Sequence, residues 1–153
     1  MTIVGVKQCV TDLIKSMFPK MGIYSIMKSE GFNRPAFFIY MKPVIDEPEN
    51  YNTRHLVYNV YIDYFQAVKD EYDAMTVMAQ IRDAFGLFIT DKDGHTAKTT
   101  DFSFDYVGVE RNVPEAAITL EWFEQIEHDR TAPTMETLTW EQTLKEVYNN
   151  GNA

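Results

Sequence analysis

Apolar residues in the first eighteen positions fall at helical intervals. Ile3, Val6, Val10, Leu13, Ile14 and Phe18 recur three, four and seven apart, which predicts an amphipathic helix that Pro19 stops. Residues 23–28 predict a short strand. Residues 30–35 predict a turn, punctuated by Gly31, Asn33 and Pro35. Residues 36–45 form a β-prone run in which Pro43 removes a ladder N–H and so marks an edge, a bulge or the strand's end. Residues 46–54 read as a polar connection. Residues 55–65 alternate: Leu56, Tyr58, Val60, Ile62 and Tyr64 share one face, and His55, Val57, Asn59, Tyr61, Asp63 and Phe65 the other. Both faces carry apolar groups, so a helix or a neighbouring subunit is expected to cover the second.

Residues 70–85 return to the helical period, with Tyr72, Met75, Met78, Ala79, Ile81, Arg82 and Phe85 towards one side. Asp70, Glu71 and Asp73 suit the positive N-terminal end of the helix dipole, and Gly86 is placed to end the helix. Beyond it come a strand over 87–90, a hairpin turn at Asp93-Gly94, and a strand over 102–109 with Phe102, Phe104 and Tyr106 on one face. A turn over 111–115 and a last strand over 116–126 complete the pattern. The residues from 131 to 137 are polar and broken by Pro133, as a linker is. Thr139, Glu141 and Gln142 then match a capping box ahead of Leu144, Val147 and Tyr148. That tail is too short to fold alone, and Trp140 would be wasted in solvent. It is expected to dock on this domain or on a partner. The pattern predicts an α+β fold: a mainly antiparallel β-sheet packed by an N-terminal helix and a central helix, with a short C-terminal helical tail. One domain over 1–130 and a linker with a docking helix over 131–153 follow.

Composition narrows the function classes. The chain has 153 residues, 45% of them apolar and 14% aromatic, enough to bury about 70% of its unfolded surface without staples. Cys9 is the only cysteine, so no internal disulfide forms, which fits a reducing compartment. Its place in a helical apolar pattern predicts core filler. No run approaches the roughly 20 apolar residues that span a bilayer. The start carries Lys7, Asp12 and Lys15 within its apolar run and no small-residue cleavage site, so no signal peptide and no membrane partner are expected. Net charge is −9, and residues 101–153 hold eleven acidic and three basic residues. Such a surface repels nucleic-acid backbones, and no basic stripe offsets it.

Catalytic constellations are sparse. His55, His95 and His128 begin a strand, follow a hairpin glycine and end a strand, and no two are spaced to share a metal. No GxSxG elbow, phosphate-cradling glycine loop or HExxH occurs. Ser103 and Asp105 lie two apart on one strand face, which is also ordinary strand surface. Asp91, Asp93 and Gly94 begin like a calcium loop, but Phe102 stands where its twelfth, acidic position would be, so a hairpin turn explains them better. Asp63, Asp101 and Asp105 are the candidates for a carboxylate cluster on neighbouring strands. Met75 and Met78 read as helix core; Met17, Met21, Met27 and Met41 read as a pliable packing surface. No catalytic residue, cofactor or metal is expected.

The most distinctive segment is Glu30-Gly31-Phe32-Asn33-Arg34-Pro35-Ala36-Phe37-Phe38-Ile39, a "GF..P.FFI" block. It follows the N-terminal helix and a short strand, and precedes a polar connection and a Tyr-rich strand ending in Tyr64-Phe65. This arrangement, over roughly residues 1–127, resembles the tail terminator family of phages and phage-like elements of Gram-positive bacteria. The resemblance implies α+β subunits that form a six-fold ring at the head-proximal end of a tail tube. Such a ring halts tube growth, offers a surface to the neck or head connector, and in contractile tails meets the last sheath ring. It transfers no catalytic residues. The implied partners are further copies of the chain, the tail tube protein, and the sheath and neck proteins. The implied place is the host cytoplasm during assembly, then the virion or a phage-tail-like particle.

Within that expectation, Asp46, Glu47, Asn50, Asp91 and Lys92 lie in polar loops that would face the tube or neck. Tyr58 and Tyr61 lie on the two-faced strand as subunit contacts, and Trp140, Leu144 and Tyr148 on the tail. Phe32 and Pro35 either meet a partner or pin the turn and stiffen the start of the strand. The acidic surplus would line a channel through which DNA slides. Three rivals stand beside this reading: a neck or tail-completion adaptor, an acidic DNA-mimic inhibitor motivated by the charge, and a small hydrolase using the aspartates.

Overall fold

The computed structural model describes residues 1–25 and 31–128. Thr2 starts the first helix, α1 (Ile3–Met17), by accepting the Gly5 N–H on its hydroxyl at 3.0 Å, which satisfies one of the donors a helix start leaves open. The helix ends two residues before Pro19, with the Phe18 N–H on the Ile14 carbonyl. Val6, Val10 and Ile14 are its buried stripe. Strands β1 (Gly22–Tyr24), β2 (Ala36–Asn50) and β3 (Thr53–Phe65) follow, then α2 (Glu71–Phe85), β4 (Phe88–Thr90), β5 (Thr96–Val107) and β6 (Val113–Gln125). The strands form one curled six-stranded sheet in the order β1-β2-β3-β6-β5-β4. Among the described residues only the β1–β2 pair is parallel. The expected α+β class is what the molecule has, with both helices on the sheet.

β3 is the axis of the sheet. It pairs with β2 from Ala36–Phe65 to Asn50–Thr53, and with β6 from Thr53–Gln125 to Asp63–Glu115. Strict alternation sends Leu56, Tyr58, Val60, Ile62 and Tyr64 to the helix face. There they meet Ile118, Leu120 and Trp122 of β6 and the α2 residues Val77, Met78, Ile81 and Phe85. Each such side chain, fully buried, contributes about 1.5–3 kcal/mol.

Helix α1 is fixed to β4 at one end of the sheet and to β2, next to the other end. The Lys7 ammonium donates to the Ile39 carbonyl of β2, and the Cys9 thiol donates to the Thr90 carbonyl of β4 at 3.3 Å. β1 pairs only with the first three residues of β2, so β2 from Ile39 onward has an open outer edge among the described residues.

Several expected boundaries move. The polar connection over 46–54 is not a loop. Asp46, Glu47 and Asn50 lie in β2, Thr53 and Arg54 in β3, and only Tyr51 and Asn52 turn. The hairpin there runs beyond the helices, so neither face needs apolar side chains and the period-two signal vanishes. Pro43 and Pro48 sit at two bulges in the open-edged part of β2, where no ladder donor is lost. β5 begins at Thr96 rather than 102. β6 begins at Val113 rather than 116, because the turn is made earlier, by Gly108 (φ 93°) and Arg111 (φ 50°).

Side-chain expectations shift as well. On α2, Ala74 and Val77 are buried while Tyr72 is 82% and Met75 52% exposed; small Ala74 allows the close approach to the sheet that larger residues would block. Met75 is thus not core. Cys9 is half-buried rather than core filler, because it faces the seam between α1 and β4. The expected tail, with Trp140, Leu144 and Tyr148, lies outside the described residues, as do Ile26, Met27 and Lys28 of the first expected strand.

Leu120→Ala, which deletes a fully buried side chain at the sheet centre, should lower unfolding stability by about 3 kcal/mol in urea titrations. Tyr72→Ser should change it by less than about 0.5 kcal/mol.

Candidate interaction surface

The sheet's second face has no helix on it among the described residues. In register, its rows run Phe38–Asp63–Glu115–Asp105, then Tyr40–Tyr61–Ala117–Ser103, then Lys42–Asn59–Thr119–Asp101. One end of this face is closed by the turn after β1. Phe32 packs 5.1 Å from Phe38, 5.2 Å from Phe65 and 6.2 Å from Tyr24, and the Arg34 guanidinium lies 5.5 Å over Phe32 and 5.4 Å over Phe65. Arg34 also donates to the Gln66 carbonyl, and Pro35 follows it through a cis peptide. Phe32 therefore pins the turn to the sheet as an aromatic cluster with its own cation.

The rest of the face is open and half-buried. Tyr40 stacks on Tyr61 at 5.0 Å, and the Lys42 ammonium lies 5.8 Å and 5.4 Å from the two rings. The Thr119 hydroxyl donates to Asn59 Oδ1 at 2.8 Å. His55 Nε2 meets Glu121 Oε1 at 2.7 Å while its ring stacks on Phe123 at 4.9 Å. Cross-strand pairs of this kind hold side chains in place in advance of any contact. The surface is thus ordered, aromatic and polar at once, the composition found where proteins meet.

Beneath its closed end lies an acid pair. Asp63 is 1% exposed, and its Oδ1 has no hydrogen-bond partner. Burial pushes its carboxyl up to about 8, and the hydrogen bond and charge of Glu115 push the same way. Glu115 Oε2 in turn accepts the Tyr40 hydroxyl at 2.8 Å. That hydroxyl is pushed well above its ordinary range, first by burial and then by Glu115. Asp63 thus keeps a proton at neutral pH that an exposed aspartate would release.

Of the expected site residues, Tyr61 lies on the open face. Tyr58 lies on the helix face, 7% exposed, and its hydroxyl donates to Asp46 Oδ2 at 3.3 Å. Asp46, Glu47 and Asn50 line the hairpin arm, where Asp46 pairs with Arg54 at 2.6 Å. Asp91 and Lys92 lie in the β4–β5 turn. The three carboxylates proposed as a cluster are not one: Asp63 and Asp105 share a row with Glu115, and Asp101 stands two rows away opposite Thr119. Glu115 was missed because its residue range read as a turn; its alternation with Ala117 and Thr119 was the available signal.

Asp91, Asp93 and His95 do converge, with ligand atoms within 4.8 Å of one another. The Asp91 carboxylate is committed to the turn, however. It accepts the N–H groups of Asp93 at 2.9 Å and His95 at 2.8 Å, and meets His95 Nδ1 at 3.0 Å. The hairpin accounts for the group. His55, His95 and His128 each meet an acceptor on a different part of the fold.

These features define a small α+β fold whose sheet presents, among the described residues, an ordered face without a helix on it. The family model for phage tail terminator proteins matches residues 5–132, and the chain belongs to that family. It is thereby a structural protein of tail assembly, of a virion-associated family. A solved protein structure aligns at 14% identity with a TM-score of 0.48, covering 83% of this chain and 94% of that one. No curated protein matches the chain. No helix among the described residues is long and apolar enough to cross a membrane.

An acid held protonated by the fold stabilises it most below its unfolded value near 3.8, and that stabilisation is lost as pH rises through about 8. Asp63→Asn, which mimics the protonated form, should therefore gain on the native protein steadily between about pH 4 and pH 8. Urea unfolding of both proteins across that range measures the difference; two parallel stability curves would contradict the assignment.

Proposed function

We propose that this protein caps the head-proximal end of a phage-type tail tube as a hexameric ring, stops tube growth and joins the tail to the neck or sheath. The observation that carries the reading is the open sheet face with Tyr40, Tyr61 and Lys42 at its centre, together with membership of the terminator family. A ring of identical subunits needs a surface on each copy that is preformed and meets a different surface on the next. Six copies multiply weak contacts by avidity, so each interface stays modest. The hairpin arm with Asp46, Glu47 and Asn50 and the turn with Asp91 and Lys92 are the polar projections assigned to the axial contacts with tube and neck. The acidic surplus faces the channel, where it lets DNA pass without adhering. In a contractile tail the outer rim of the ring would meet the last sheath ring.

Reversing the charges of the exposed Glu47 and Lys92 together should leave the circular dichroism spectrum unchanged and give tails of uncontrolled length in electron micrographs. Tails of native length would remove these residues from the tube contact. Tyr61→Asp should abolish ring particles in the same micrographs while the monomer stays folded.

A further inference from the structure

A groove of about 570 Å³ runs between α1 and β4. Its floor is Cys9, Leu13, Ala84, Phe88 and Ile89, and Phe88 is 56% exposed within it. Most polar groups on its rim already have partners, and the charged side chains of Lys92 and Asp93 belong to the exposed β4–β5 turn at its edge. Gln8 donates to Asp12, Ser16 to the Leu13 carbonyl, the Cys9 thiol to the Thr90 carbonyl, and Asp91 is held by its own turn. Away from that turn what remains is apolar surface, so the occupant this groove fits is a row of apolar side chains and not a polar small molecule.

The sequence contains one such row with no place in the described fold. Trp140, Leu144, Val147 and Tyr148 recur at helical spacing behind a capping box. The chain's path brings them within reach. β6 ends at Gln125, opposite Thr53 at the tip of the hairpin. Ile126 N–H then bonds the Asn52 carbonyl at 2.8 Å, and His128 stacks on Tyr51 at 3.9 Å. From that row to the row of Glu121, Lys98 and Phe88 is four residues along the strands, roughly 13 Å, and two strands across, roughly 10 Å. Residues 129–139, if extended, span up to about 36 Å, which is ample.

We propose that the groove between α1 and β4 is the docking site of this chain's own C-terminal segment, with Trp140, Leu144 and Tyr148 seated on Leu13, Phe88 and Ile89. Docking there would close the seam of the curled sheet and cover Phe88. It does not depend on the ring proposed above, and its test needs neither tube nor ring.

The only cysteine of the chain lies in the groove floor, so it reports on occupancy directly. Maleimide labelling of Cys9 in the full chain should be slow, and Trp140→Asp and Leu144→Asp should each speed it by about tenfold or more, the change that a loss of about 1.4 kcal/mol of docking gives. Circular dichroism checks that both variants stay folded. Leu144→Cys should form a disulfide with Cys9 on mild oxidation, within one chain, as a faster-running monomer on a non-reducing gel. Labelling rates that ignore both aspartate substitutions, or a disulfide that forms only between chains, would overturn the proposal.

Discussion

Two hydrogen bonds from a single turn of α1 fix the shape of the molecule. Lys7 reaches the Ile39 carbonyl of β2, and Cys9 reaches the Thr90 carbonyl of β4. β2 is second in the sheet order and β4 is last, with β3, β6 and β5 between them. A single helix can hold both only if the sheet curls until its ends approach each other. The curl shelters the helix face and turns the other face outward as a convex surface. Right-handed strand twist supplies part of the bend, and the bulges at Pro43, Pro48 and Thr99 supply more.

The outward face is therefore a product of the inward one. Strict alternation along β3 means that placing Val60 and Ile62 under the helices places Asn59, Tyr61 and Asp63 outside. A one-residue slip would exchange the two sets and bury His55 and Asn59 in the core. The outer side chains have adapted to exposure by pairing with each other, Tyr40 with Tyr61, Asn59 with Thr119 and His55 with Glu121. Where the turn at Phe32 covers them, the adaptation is chemical, and Asp63 keeps its proton. The surface proposed for assembly thus takes its register from the core.

The helices and the central strand were legible in the sequence because burial on one side imposes a period. Val6, Val10 and Ile14 repeat at helical spacing, and Leu56 to Tyr64 alternate. The hairpin arm was illegible because it leaves the core: residues 46–50 carry no apolar rhythm, yet their backbone continues the ladder. The face of α2 was misjudged by its large residues, Tyr72 and Met75, when the close contact is made by Ala74. Of the outer face, Tyr61 and Asp63 could be named from alternation alone. Alternation with Ala117 and Thr119 could have put Glu115 on a strand face, but its partnership with Asp63 comes from register between residues 63 and 115, which no local window contains. The "GF..P.FFI" block carried the family before any contact was visible, and the structure supplies its reason in the packing of Phe32 on Phe38 and Phe65.

The pairing of β3 with β6 also governs the order in which a new chain can acquire its shape. The β2–β3 hairpin is local and can close as soon as Phe65 is made, whereas its other flank stays vacant until the residues up to Gln125 exist. During that interval β3 offers an unpaired backbone to any other nascent copy, and loop closure over so long a separation is slow. The two prolines of β2 interrupt the donor row on the hairpin's outer side. Half-made copies can therefore stick by one flank only, and β6 takes that flank away once it arrives. The exposed β-edge of a chain still being synthesised is in this way limited in extent and in time.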